Sequence, residues 1–318
     1  MHSELPSIAF FAYKRPQHTE RTIRSLLRCK GADDFRLHIF CDGAKTEKDE
    51  PFVSETRTIL KSLLGTRATY SFRETNAGLA RSVIAGVSEL VSTSGSVIVV
   101  EDDLELHPRF LEFMQGALTT YRDNEKIMQV SGFLLPTDNL ISTSTCNFLP
   151  FTSSWGWATW ERAWRMFDEK AMGWEALSTD TALKNKFNLE NTLDYSTMLR
   201  DQMEGKIDSW AIRWYWSVFK NDGLVAYPPV NLVTNHGFDG SGTHGRWLAK
   251  RITKSQPLVS NQSITFPPVP EFSGSLYHSI VCRLKRHASI RSRFFFRLPY
   301  KALLLAITSV KKFTSRGR

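Results

Sequence analysis

The run Ser96-Val97-Ile98-Val99-Val100 feeds directly into Glu101-Asp102-Asp103, and no other stretch constrains the fold as strongly. An apolar run with neither two-residue alternation nor helical spacing reads as a central strand covered on both faces, as in a parallel sheet. Three carboxylates at its carboxyl end cannot all be buried without partners, because stripping water from an isolated carboxylate is too costly. In open α/β sheets, ligands collect at that end of a strand. Carboxylate oxygens suit a hard divalent cation, Mn2+ or Mg2+, shared with the phosphates of a substrate. The competing reading is an acid-decorated helix N-terminus, since helix-like sequence follows from Pro108 to about Tyr121.

The residues before this run repeat its logic. Pro6 to Tyr13 reads as a first strand, broken at Lys14-Arg15-Pro16, and Gln17 to Arg28 has apolar residues near helical spacing. Phe35 to Cys41 reads as a second strand ending at Asp42-Gly43, with a helix over 52–64. A third strand, Thr69 to Phe72, leads to Asn76-Ala77-Gly78-Leu79-Ala80-Arg81 and a helix to about Val91. Alternating strands and helices imply βαβ units and an α/β fold built on a mostly parallel sheet flanked by helices. The strand-to-helix turns then put Tyr13–Arg15, Asp42, Asn76 and Asp103 at one sheet edge, which predicts a nucleotide crevice there. Neither a G-x-x-x-x-G-K-[ST] loop nor a G-x-G-x-x-G fingerprint is present, which disfavours a P-loop enzyme or an NAD dehydrogenase.

Beyond about Asp123 the texture changes. Ile127 to Phe133 reads as a further strand, and Phe148 to Asp168 is dense in aromatics. Most of these read as core, but Trp155-Gly156-Trp157 follows a Thr-Ser-Ser loop and is expected to face a ligand, where indoles stack on the apolar faces of sugars. Residues 169–206 read as a helical insertion without chemistry. At Asp208-Ser209-Trp210 the acid reads either as a helix N-cap or as a functional carboxylate. Asn235 to Gly245 is a polar, glycine-rich loop carrying His236 and His244, the kind of loop that serves binding or closure.

Composition narrows the partners. The chain of 318 residues carries a formal net charge of +9, but eleven Lys or Arg and no acid lie between Val281 and Arg318. Removing those eleven from 41 leaves 30 basic against 32 acidic residues for 1–280. Basicity is therefore a property of the terminal segment, and a nucleic-acid-binding face is not expected. That segment mixes basic residues with Phe294–Phe296 and Leu303–Leu305, a pattern suited to the surface of an anionic membrane. Four scattered cysteines argue against a disulfide framework or zinc site and fit a reducing compartment. No signal-like N-terminal segment and no run of about 18 apolar residues is seen. The expected organisation is 1–122 for the half that carries the nucleotide crevice, 123–270 for a second half of the same domain and 271–318 for a basic amphipathic tail.

With these residues placed, the chain resembles glycosyltransferases of the GT-A fold, in particular family-2-like enzymes. In those enzymes the first-strand loop, an Asp after the second strand and an Asn-x-Gly…Arg after the third form the nucleoside site. The matching residues are Ala12, Tyr13, Lys14 and Arg15, then Asp42, then Asn76, Gly78 and Arg81. The segment Val99 to Phe110 is similar to the Glu-Asp-Asp motif of inverting N-acetylglucosaminyltransferases. The resemblance implies that Asp103 ligates the metal while Glu101 and Asp102 orient the donor. Relatives carry Trp-Asp-Asp-Trp with the second Asp as base; here Ile207-Asp208-Ser209-Trp210 leaves Asp208 for that role.

The expectation is an inverting, metal-dependent hexosyl- or N-acetylhexosaminyltransferase. It would use a nucleotide-sugar donor, UDP-linked by likeness, and a saccharide acceptor. Trp155 and Trp157 would form a sugar platform, and Arg81, His236 or His244 would offset charge on the leaving diphosphate. A basic tail on the cytoplasmic membrane face would meet a lipid-linked acceptor, as in bacterial surface polysaccharide synthesis. Two other readings compete. A sugar nucleotidyltransferase is disfavoured because Phe11-Ala12-Tyr13-Lys14-Arg15-Pro16 lacks the glycines of such a first loop. A non-catalytic carbohydrate-binding protein is disfavoured by the carboxylates themselves.

Overall fold

The computed structural model describes residues 6–135, 137, 144–237 and 263–293. Strand β1 (Ser7–Ala12) is buried at every position, as an apolar run flanked by breakers requires. It lies between β2 (Leu37–Cys41) and β4 (Ser96–Glu101), parallel to both, with Ile8 opposite Leu37 and Ile98. β3 (Ala68–Phe72) extends the parallel half beyond β2. The helices α1 (Pro16–Leu27), α2 (Glu50–Leu64) and α3 (Leu79–Ser94) supply the crossovers. All four strand ends thus open on one edge, the arrangement the sequence predicts.

The second half of the sheet is mixed. β8 (Trp157–Trp160) runs antiparallel between β4 and β6 (Ile127–Ser131). β9 (Leu224–Tyr227) is parallel to β6, and β7 (Asn147–Leu149) closes the edge antiparallel to β9. The full order is β3-β2-β1-β4-β8-β6-β9-β7. β5 (Leu104–Leu106) leaves the main sheet directly after the three carboxylates and pairs antiparallel with β10 (Val233–Asn235). That small sheet carries the chain from Asp103 towards α4 (Phe110–Thr120) and returns Asn235 beside Leu104. Helix follows the acidic run only at Phe110, so the acids stand at a strand end and do not decorate a helix terminus.

The aromatic segment is largely core. Trp157 is fully buried, stacked on Trp210 at 4.9 Å between ring centroids and flanked by Trp164 and Trp214. This corrects the expectation of a ligand-facing Trp157: a strand covered on both faces turns the ring inward, and no sugar can reach it. Its indole Nε1 is buried with no hydrogen-bond partner among the described residues. Trp157→Ala is therefore expected to cost about 3–5 kcal/mol in denaturant unfolding. Trp157→Phe should cost far less, because it also removes an unsatisfied donor.

The short helix α5 (Glu161–Trp164) follows β8, and residues 169–206 form α6 (Ala176–Thr179), α7 (Thr181–Phe187) and α8 (Tyr195–Met203). α8 packs on α9 (Trp210–Lys220), ten of whose eleven residues are buried. The segment read as a tail begins as helix α10 (Gly274–Arg293), docked on the body through Leu276, Ile280 and Val281. Arg283 donates to Thr137 O at 2.6 Å and Lys285 pairs with Glu190 at 2.7 Å. The apolar residues of its first two turns are thus packed on the protein. Phe294–Phe296 and Leu303–Leu305 lie outside the described residues. No helix among the described residues is long and apolar enough to cross a membrane.

Candidate active site

The site is built from the loops at the carboxyl edge of the parallel strands. After β1, the Tyr13 backbone N–H donates to Asp102 Oδ2 at 3.2 Å, and Arg15 Nη1 donates to Asp103 Oδ2 at 3.0 Å. Thr22 on α1 donates to the Asp102 carbonyl at 2.8 Å. The first loop is therefore clamped onto the acidic turn, and a guanidinium sits among three carboxylates.

Electrostatics follow from that crowding. Burial, then the neighbouring Asp103 and Asp102, push the Glu101 carboxyl well above its ordinary range against the pull of Arg15. Asp102 is pushed up to about 6, mainly by burial, with Asp103 adding and Arg15 opposing. Burial works against charge on Arg15, yet Asp102 and Asp103 outweigh it and hold the guanidinium above its usual pKa. Because the folded pKa of Asp102 is raised, its ionisation costs stability that is absent below the unfolded value and accrues as pH climbs to about 6. The stability gain of Asp102→Asn over wild type should thus be larger at pH 7.5 than at pH 4, by roughly 3 kcal/mol at most, read from paired unfolding curves.

The first loop has a second anchor. Tyr13 Oη donates to Asp49 Oδ2 at 2.9 Å and accepts from the Lys45 N–H at 2.8 Å, while the Lys14 ammonium pairs with the same Asp49. The Lys14 hydrogen bond holds Asp49 down to about 2. Burial raises the Tyr13 phenol to about 12, so it stays protonated at neutral pH. Sequence reading missed Asp49, which lies in a short turn before α2 with no motif to mark it.

Asp42, at the end of β2, is buried and serves the next loop. Its Oδ2 accepts from the N–H groups of Ala77 (3.1 Å) and Gly78 (2.9 Å), and its Oδ1 from Ser82 Oγ (2.7 Å). Asn76 donates to Gly43 O at 3.1 Å. Gly78 has φ +86°, a conformation open to glycine at little cost, and starts α3 where an ordinary residue would be strained. Arg81, in the first turn of that helix, is exposed.

Asp208 comes to the same place from the other half of the chain. Ser209 takes the N-cap of α9, its Oγ accepting from the Ile212 N–H at 3.3 Å. Asp208 is thereby left uncapped, with its side chain 63% exposed. A Cβ placed on Gly78 would lie 3.7 Å from Asp208 Oδ2, so the carboxylate faces the Asn76–Gly78 loop. Gly237 closes the opposite side: a Cβ there would lie 2.3 Å from Asp103 Oδ2. The pairing of β5 with β10 sets this approach, through His236 N–H donating to Asp103 O at 2.8 Å. His236 Nε2 lies 2.7 Å from Glu105 Oε2, a carboxylate that sequence reading did not single out. His244 lies outside the described residues.

Trp155 and Gly156 lead into β8 at the edge where β4 ends, with Trp157 opposite Val99. Trp155 is 8% exposed and packs on Phe133 at 4.2 Å. Gly156, φ +61°, lets the chain turn against Phe110 and Val233, which a Cβ would meet at 2.9 Å. Both shape the wall behind Gly132, whose N–H donates to Gly156 O at 2.7 Å.

The acidic turn also tests whether a divalent cation fits. Among the described residues no three His, Cys, Asp or Glu side chains are grouped so that they alone could hold a metal ion. Asp103 offers one partly buried carboxylate beside a glycine that clears space at its Oδ2, a donor set suited to a cation whose other ligands come from phosphates.

No family model matches the chain. A comparison with curated proteins returns no match. Among solved structures it is similar to a mannosyltransferase from Pyrobaculum calidifontis in complex with GDP-Man and Mn2+. The identity is 13% and the TM-score 0.34, over 48% of this chain and 43% of that one. It is similar to glucosyl-3-phosphoglycerate synthase from Mycobacterium tuberculosis in complex with Mn2+, UDP and glucosyl-3-phosphoglycerate, at 14% identity and TM-score 0.34 over 52% and 58%. It is also similar to a cytidylyltransferase from Leptospira borgpetersenii, at 13% identity and TM-score 0.31 over 49% and 60%. The chain thus spans roughly half the length of these proteins, and likenesses of this size decide neither its family nor its activity.

Proposed function

We propose that the chain is a GT-A-type glycosyltransferase, inverting and dependent on a divalent cation. It moves a sugar from a nucleoside diphosphate sugar, UDP-linked by the motif resemblance, to the hydroxyl of a saccharide. The observation that carries this reading is the convergence at one sheet edge. Arg15 meets Asp103, and Asp208 faces the Asn76–Gly78 loop across the strand ends.

Each group then has a task. Asp103 would hold a divalent cation, which would supply charge neutralisation of the donor diphosphate as leaving group. Lys14, Arg15, Arg81 and His236 supply further positive charge or donors at the same edge. Asp208 accepts the acceptor's hydroxyl proton as that oxygen bonds to the anomeric carbon. The bond from that carbon to the diphosphate oxygen breaks, and its electron pair leaves with the nucleoside diphosphate. A single displacement inverts the anomeric configuration. A basic segment over 294–318 would favour acceptors presented at an anionic membrane surface, lipid-linked saccharides among them.

The test is a panel of UDP-, GDP-, dTDP- and CMP-sugars with Mn2+, read by NMR for the released nucleotide and the anomeric configuration of the product. Release of a nucleoside diphosphate with inversion is expected. Formation of pyrophosphate from sugar phosphate and nucleoside triphosphate, or retention, would sink the reading.

A further inference from the structure

The carboxylate read as the base has its two oxygens in different surroundings. Asp208 Oδ2 faces Gly78 in the crevice, whereas Oδ1 lies 3.5 Å from Arg213 Nη2. Arg213 is one turn into α9 and only 7% exposed, unlike the carboxylate it meets. Its Nε donates to Ser209 O at 3.1 Å, and its Nη1 to Glu169 Oε1 at 3.4 Å. The guanidinium is therefore fixed by packing, by the helix's own first carbonyl and by a second carboxylate. Burial alone would discourage a cation here, and it lowers the pKa of Arg213 against the pull of Asp208 and Glu169.

An exposed Asp just before a helix ordinarily samples several rotamers, and here Ser209 has taken the cap that would otherwise hold it. A rigid fork grips a carboxylate with defined geometry. We propose that Arg213 is a positioning residue for the transfer reaction: it anchors Oδ1 of Asp208 so that Oδ2 stays aimed at the acceptor hydroxyl. The inference rests on the reading of Asp208 as base. A purely structural ion pair between α9 and the 168–170 turn is the competing account. It predicts a loss of stability with no selective loss of turnover.

The experiment measures kcat, donor KM and Tm on the full chain for wild type, Arg213→Gln and Arg213→Lys, with Asp208→Asn alongside. Arg213→Gln is expected to lower kcat on the order of 10²-fold, the cost of misplacing a reacting group by about an ångström, with donor KM within about twofold of wild type. An unchanged kcat with a lowered Tm would overturn the proposal. If Arg213→Gln does not fold, Arg213→Lys decides. Its unforked ammonium cannot hold both Ser209 O and Asp208, so a roughly 10-fold loss of kcat at unchanged KM supports the proposal and a wild-type kcat overturns it. If Asp208→Asn itself keeps full turnover, the base assignment fails, an outcome distinct from failure of the Arg213 role.

Discussion

Asp208→Asn is expected to lower turnover by about 10²–10⁴-fold, the usual contribution of a general base, while leaving donor affinity within about twofold. The substitution is nearly isosteric and falls at a position whose side chain is 63% exposed. The adjoining helix cap is supplied by Ser209, and Glu169 still faces the Arg213 guanidinium when the Asp208 charge is removed. Stability should accordingly change by less than about 0.5 kcal/mol, as for most surface positions. Steady-state kinetics and a thermal scan on the same preparation separate the two effects. A selective fall in kcat marks a group acting on the reacting atoms, whereas equal loss of folding and activity would assign Asp208 to structure.

Asp103→Ala has the second large effect. Removing this carboxylate deletes the partly buried oxygen at the Gly237 side of the turn and strands Arg15, whose partner at 3.0 Å is lost. A Mn2+-dependent gain in nucleoside diphosphate affinity, on the order of 10²-fold or more where a cation bridges carboxylate and diphosphate, should vanish in the variant. Binding in the absence of metal should persist or strengthen slightly, because Arg15 is freed for the phosphates. Isothermal titration with and without Mn2+ reads both numbers. If the variant kept its metal-dependent gain, Asp103 would not be the cation's carboxylate.

Much of the parallel half was legible in the sequence because its signals are local. The unalternating Val97–Val100 run had to be a doubly covered strand, and breakers after β1 and β2 fixed where Arg15 and Asp42 would emerge. The second half was less legible for a physical reason. Trp157–Trp160 is a strand buried on both faces and made of aromatics and small residues, so it shows no period, and its antiparallel insertion beside β4 spans about 60 residues of sequence. The cap before α9 was ambiguous because Asp and Ser are near-equal N-caps, and only geometry assigns it to Ser209. The approach of Gly237 to Asp103 and the His236–Glu105 pair depend on β5 meeting β10, a contact across 131 residues that no local pattern announces. Asp42 illustrates a different limit: its place at the edge was predictable, but its bonds to Ala77, Gly78 and Ser82 emerge only once α3 is docked.

The central claim is that the carboxyl edge of this sheet binds a nucleoside diphosphate through a divalent cation. Equilibrium titration of UDP, GDP, CDP and dTDP into the full wild-type chain, with and without Mn2+, tests it most directly. The account predicts tight binding of one of these nucleotides, UDP by resemblance, that depends on the cation and weakens as Asp102, its carboxyl raised to about 6, protonates on acidification. Absence of binding by every nucleotide, with and without Mn2+, would contradict it.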